Sequence, residues 1–167
     1  ATSLTRVQDS LDVEAYPKSG APNPVVDLFV YDVNTKATTR VDVRDGKAFE
    51  NDVLGYYVYR VNWSPDGRSI VYTSYRTGVP DILISNIYAG TMETPTKGAG
   101  QNWLPVFSPD GTRIAFTSNR DGNPEIYVMN RDGSGVRRIT NHAAADSAPT
   151  WSPTGTQIAF TSDRSGS

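Results

Sequence analysis

Apolar residues in this chain come in short bursts, and within each burst they alternate with small or polar ones. Arg113 to Thr117 reads Arg-Ile-Ala-Phe-Thr, which puts Ile114 and Phe116 on one face of a strand. Glu125 to Asn130 and Val136 to Thr140 are two further segments of this kind, and Pro105-Val106-Phe107 reads as the end of a strand before them. Turn chemistry fills the gaps. In Ser108-Pro109-Asp110-Gly111 the proline presets φ and the glycine takes a positive φ; Asn119 to Pro124 makes a loop, and Asp132-Gly133-Ser134-Gly135 turns again. Amphipathic helical stretches are absent, so the pattern predicts four short strands joined by tight turns.

That unit repeats. Trp63-Ser64-Pro65-Asp66-Gly67, Phe107-Ser108-Pro109-Asp110-Gly111 and Trp151-Ser152-Pro153-Thr154-Gly155 follow one another at intervals of 44 residues. Ile70, Tyr72, Thr73, Ser74, Arg76, Gly78, Pro80 and Ile82 match Ile114, Phe116, Thr117, Ser118, Arg120, Gly122, Pro124 and Ile126 at the same offset, and Arg164 continues the series. A period in the forties with four strands per period is that of a β-propeller blade. The earlier repeat has Pro95 where Ile139 stands later, which only an outer edge strand tolerates.

The termini hold partial repeats. Asp27 to Asp42 aligns without gaps on Glu125 to Thr140 and supplies third and fourth strands, while Pro149 to Ser162 supplies a first and a second. Arg44 to Tyr56 is an enlarged connection between blades, and long loops are where function concentrates. The expectation is one all-β propeller domain with blade pieces at about 16–43, 57–97, 101–140 and 147–167, or three blade-equivalents. Three blades leave two uncovered faces, so Leu28, Val30, Ile158 and Phe160 are expected to meet water in a lone chain. Joining two chains through their half-blades gives a six-bladed homodimer.

Composition agrees with an all-β chain rich in turns: nine tyrosines, five phenylalanines, three tryptophans, 14 glycines and 11 prolines. The net charge of −2 with dispersed Lys and Arg gives no footprint for nucleic acid or an anionic membrane. No apolar run is long enough to span a bilayer, and Ala1 to Leu4 does not open a signal peptide. Without cysteine there is no disulfide, thiol nucleophile or Cys-ligated metal, and no cofactor is expected.

The candidate chemistry is sparse. His142, the sole histidine, sits in the loop Asn141 to Asp146 with only scattered serines as partners. Arg76, Arg120 and Arg164 recur with the blade, which points to a structural role beside Trp63, Pro65, Asp66, Gly67, Phe107, Pro109, Asp110, Gly111, Trp151, Pro153 and Gly155. Asp121, Asn123 and Glu125 alternate like calcium ligands but lack the rest of a calcium loop. Trp103 departs from the repeat, with Tyr59 and Ser147 as its counterparts, and Tyr56 and Tyr57 lie close to Tyr59. These aromatics at the start of innermost strands, with His142, are the expected partner-binding residues on the channel rim. Asn62-Trp63-Ser64 has the form of a glycosylation site, but Trp63 is expected to be buried and Ser64 lies in a tight turn.

Trp151-Ser152-Pro153, Phe107 to Thr140 and Thr161-Ser162-Asp163-Arg164 closely resemble the TolB-type propeller repeat, over roughly the C-terminal 65 residues. Tyr16-Pro17-Lys18-Ser19-Gly20, Asn23-Pro24 and Tyr59-Arg60-Val61-Asn62-Trp63 are similar to the propeller domain of dipeptidyl peptidase IV-like members of the prolyl oligopeptidase family. The first resemblance implies a periplasmic or extracellular, non-catalytic module that binds proteins or peptides. The second implies part of a secreted serine peptidase's propeller, which gates access to a separate hydrolase domain. The chain has no Gly-x-Ser-x-Gly elbow and no Glu-Glu pair, so peptidase chemistry does not carry over.

Overall fold

The computed structural model describes residues 26–44, 46 and 57–164. These form four antiparallel sheets, with no helix among the described residues. Strands β1 (Leu28–Tyr31) and β2 (Thr38–Val41) make a pair. Strands β3 (Val58–Trp63), β4 (Ser69–Ser74), β5 (Asp81–Asn86) and β6 (Thr91–Glu93) make a full blade in that order. A second full blade holds β7 (Asn102–Phe107), β8 (Arg113–Ser118), β9 (Glu125–Asn130) and β10 (Arg137–Arg138), and β11 (Asp146–Trp151) with β12 (Ile158–Ser162) forms the last pair.

Successive blades pack through their first strands, β3 against β7 and β7 against β11, which puts those strands at the hub and β6 and β10 on the rim. Central strands are buried on both faces, because each blade is sandwiched between two neighbours. Val71, Ile82 and Ile84 pack forward onto Phe107, Ile114, Phe116, Tyr127 and Met129 of the next blade. Ile70, Tyr72 and Leu83 pack backward onto Val41 and Val43, with Leu28 and Val30 beside them.

The repeated turn stitches the blades together as well as closing a hairpin. Ser64 and Ser108 each bond the Asp two residues on, and the Gly67 and Gly111 amides return to the Ser64 and Ser108 carbonyls at 2.9 and 2.8 Å. Gly111 has φ 71°, and a side chain there would come within 3.3 Å of Pro65 in the preceding blade. Gly155 faces Pro109 in the same way.

Three expectations need correction. Val136 to Thr140 yields only the two-residue β10, because Arg138 and Thr140 turn inward to bond Glu125. Leu28, Val30, Ile158 and Phe160 are half-buried, since they face the neighbouring blade within the arc; their alternates Phe29 and Tyr31 are the exposed ones. Trp63 is exposed as well: its counterpart Phe107 is covered by the second and third strands of the blade before it, and of those two only the third, β1, precedes Trp63 among the described residues. Tyr56, the segment from Tyr16 to Gly20 and most of the enlarged connection lie outside the described residues.

Candidate functional site

Each innermost strand breaks its ladder at one place. The register shifts between Tyr59 and Asn62, between Trp103 and Val106, and between Ser147 and Thr150. The bulge residue has positive φ every time, and none of the three is glycine: Arg60 at 57°, Leu104 at 55° and Ala148 at 54°. Such backbone costs free energy of order 1 kcal/mol for an L residue and persists where its surroundings hold it. At Leu104 and Ala148 the previous blade holds it. The Leu104 amide donates to Thr73 Oγ1 at 3.1 Å and the Ala148 amide to Thr117 Oγ1 at 3.2 Å. Pro105 and Pro149 fit beside the bulges, because an innermost strand pairs on one side only.

The bulges turn side chains toward the hub, where Arg60, Asn62, Leu104, Pro105, Val106, Ala148, Pro149 and Thr150 line one recess of about 210 Å³. Asn62 Nδ2 donates to the Pro105 carbonyl at 3.1 Å and ties two blades across it. That volume lies below the 300–1,000 Å³ range of pockets that enclose a small ligand, so the recess suits a side chain or part of an extended segment.

The aromatics expected at the rim stand next to these bulges. Tyr59 precedes Arg60 and Trp103 precedes Leu104. Tyr59 stacks on Tyr75 with centroids 5.9 Å apart, and Tyr57 meets Tyr75 edge-on at 6.4 Å. Burial, and then the hydroxyl contact with Tyr75, raises the Tyr59 phenol above its ordinary range. Trp103, half-buried, pairs with Thr117 across its own blade.

His142 belongs to a different constellation. Its amide donates to Glu125 Oε1 at 2.7 Å, its carbonyl accepts from Asn123 Nδ2, and its Nδ1 accepts from the Ala144 amide. Asp121 accepts from the Tyr127 hydroxyl, while Asn123 donates to the His142 and Ala144 carbonyls and to Glu125 Oε1 at 3.4 Å, so hydrogen bonds to neighbouring protein groups engage all three. Among the described residues no group of three His, Cys, Asp or Glu is placed to hold a metal. Glu125 is fully buried, which on its own would raise its pKa. Its bonds from Thr140, the His142 amide and Arg138 outweigh burial and hold it at about 2.

The repeated arginines act within the blade. Arg120 donates to Asn102 Oδ1 at 2.9 Å and lies over Phe116 and Tyr127, and Arg164 bonds Asp146 and lies over Phe160. Asn102 also donates from Nδ2 to Asp81 Oδ1 at 3.1 Å. Its counterpart Asp146 has no amide, and its buried Oδ1 lacks a hydrogen-bond partner. Asp146→Asn should therefore raise the unfolding free energy by about 1 kcal/mol, read as a higher urea midpoint at unchanged slope.

Sequence reasoning passed over Arg60, Leu104 and Ala148 because they differ from one another. The available signal was that variation, at one fixed offset inside an otherwise regular repeat.

Blades of four antiparallel strands around a shared hub define a β-propeller module. The family model described as TolB beta propeller domain matches residues 28–167, and the chain belongs to that family. It is 43% identical over 68 residues to a probable dipeptidyl-aminopeptidase B of Aspergillus clavatus, and 44% identical over 72 residues to that of Verticillium alfalfae. Those matches cover 41% and 43% of this chain but only 7% of either relative. TolB from Acinetobacter baumannii superimposes with a TM-score of 0.65 at 34% identity, over 84% of this chain and 33% of that one. Dipeptidyl peptidase 4 of Porphyromonas gingivalis shares the fold at 19% identity, with a TM-score of 0.59 over 80% of this chain and 19% of that one.

Proposed function

We propose that this chain is a non-catalytic propeller scaffold that binds a protein or peptide segment at its channel face and completes its ring by self-assembly through the open blade edges. The observation that carries the binding reading is the bulge row. Residues that hold a blade together repeat, whereas the one strained hub position carries arginine, leucine and alanine in successive blades. A fixed backbone presenting varied side chains in a shallow recess supplies a charge, apolar contact and polar groups at set spacing. Tyr57, Tyr59 and Trp103 flank the recess as aromatic anchors, and the His142 loop borders the next blade junction. On its likeness to these relatives, we take the module to work in the periplasm or outside the cell.

A second reading follows from the aminopeptidase matches: the propeller of a secreted dipeptidyl peptidase IV-like enzyme, whose channel gates peptides toward a hydrolase domain. A gate passes its peptide and a scaffold holds it. Selecting a displayed random-peptide library on the immobilised chain separates the two. The scaffold reading expects enriched sequences that bind saturably. It also expects Leu104→Asp to weaken them about tenfold or more, the loss of one buried apolar contact, while Tyr88→Ala on the exposed outer surface leaves them unchanged. No saturable binder would count against the scaffold and for the gate.

A further inference from the structure

We infer that the open edge of β12 takes strand β1 of a second copy of this chain, in the register that β8 and β9 already use within their own blade. The inference rests on the self-assembly reading above and adds the strands, the register and the side chains that meet.

Strand β8 pairs with β9 through Ile114 opposite Met129, Ala115 opposite Val128, Phe116 opposite Tyr127, Thr117 opposite Ile126 and Ser118 opposite Glu125. Strand β12 repeats β8 at the 44-residue interval, and β1 repeats β9 with Asp27 in the place of Glu125. Among the described residues, β12 and β1 each pair on one side only. Transferring the register puts Ile158 opposite Tyr31, Ala159 opposite Val30, Phe160 opposite Phe29 and Thr161 opposite Leu28 of the second copy.

Four features of the chain fit that joint. Tyr127 and Met129 are 2% and 1% exposed, yet Phe29 and Tyr31 at the corresponding places are 55% and 57% exposed. Within the complete blade Phe116 stacks on Tyr127 at 5.8 Å, and Arg120 lies 5.2 and 4.9 Å from the two rings. Arg164 already lies 5.5 Å over Phe160, and the register brings Phe29 in as the second ring. Phe107 is 5% exposed under Val71, Ile82 and Ile84, whereas its counterpart Trp63 is 49% exposed. The matching cover for Trp63 is its own Leu28 and Val30 with Ala159 of the second copy, and Ala159 is exposed in the single chain.

The fourth feature is the bulge tether. Thr73 and Thr117 receive the amides of Leu104 and Ala148, but Thr161 Oγ1 turns back to the Ser147 carbonyl at 2.9 Å. The corresponding donor is the Arg60 amide of the second copy. Because each copy offers one β12 edge and one β1 edge, the joint forms twice about a two-fold axis and closes six blades. Strand addition of this kind satisfies edge backbone groups while the aromatic faces are covered.

The chain has no cysteine, so engineered pairs report on register cleanly. Directly opposed strand residues lie about 4.5–5.5 Å apart at Cα, within disulfide reach. Light scattering should show a species at twice the chain mass of 18.2 kDa. Under mild oxidation Val30→Cys/Ala159→Cys should form covalent dimers, and Phe29→Cys/Ala159→Cys, one residue out of register, about tenfold fewer. Mixing the Val30→Cys and Ala159→Cys single variants should give the same bond between chains. Should the first pair fail to fold, as judged by circular dichroism, Leu28→Cys/Thr161→Cys reports the same register. A dimer that cross-links only through the out-of-register pair, or through neither in-register pair, overturns the inference and leaves self-assembly standing. A monomer at all concentrations overturns both.

Discussion

Replacing Phe116 by alanine should lower the unfolding free energy by about 4 kcal/mol, the cost typical of truncating a fully buried aromatic. The ring has no exposed surface and sits where two complete blades meet, among Val71, Ile82, Ile84, Tyr127 and Met129. It also stacks on Tyr127 and carries Arg120 above it, so alanine removes the cation–π partner along with the packing. A neighbour cannot relax into the void without dragging a strand out of register with its sheet. Chemical denaturation monitored by tyrosine and tryptophan fluorescence measures the loss. A drop below about 1 kcal/mol would show that the blades do not depend on this contact.

Glu125→Ala should cost about 3 kcal/mol, within the range for breaking a buried, hydrogen-bonded ion pair. The carboxylate gathers Arg138 at 2.8 Å, the His142 amide at 2.7 Å and the Thr140 hydroxyl, and so ties the rim of one blade to the start of the next. Its removal leaves an amide and a hydroxyl without their acceptor and Arg138 with a more distant carboxylate, Asp121 at 4.0 Å. The same group predicts an acid limb in stability. Its pKa of about 2 in the folded chain lies below the ordinary value near 4.5, so the folded state favours the ionised form. The contribution is fully present above about pH 4.5 and is lost as pH falls toward 2. Wild type and Glu125→Ala should therefore differ most near neutrality and converge in strong acid. A difference that stays constant across that range would mean the side chain acts by packing alone.

Much of this architecture was legible in the chain. The turn at Trp63, Phe107 and Trp151 fixed the period, and β9 runs from Glu125 to Asn130 as its alternation indicates. Strong local rules account for that success, since turn residues and period-two alternation act over a few residues. What escaped depends on neighbours. Ile139 looks like strand sequence, but buried Glu125 draws the segment around it inward. Trp63 has the composition of a core residue, yet its exposure is decided by what lies on the other side of the blade. The bulges were hidden for a further reason. Positive φ is ordinarily announced by glycine, and at Leu104 and Ala148 it is held instead by a tether to the previous blade.

Hydrogen exchange on the chain, with and without a peptide enriched on it, tests the proposed binding face most directly. Amides of Tyr59 to Asn62, Trp103 to Val106 and Ser147 to Thr150 should gain protection on binding, because the peptide lies across the three bulges. Protection confined to the outer strands or to the His142 loop, with those segments unchanged, would contradict the account.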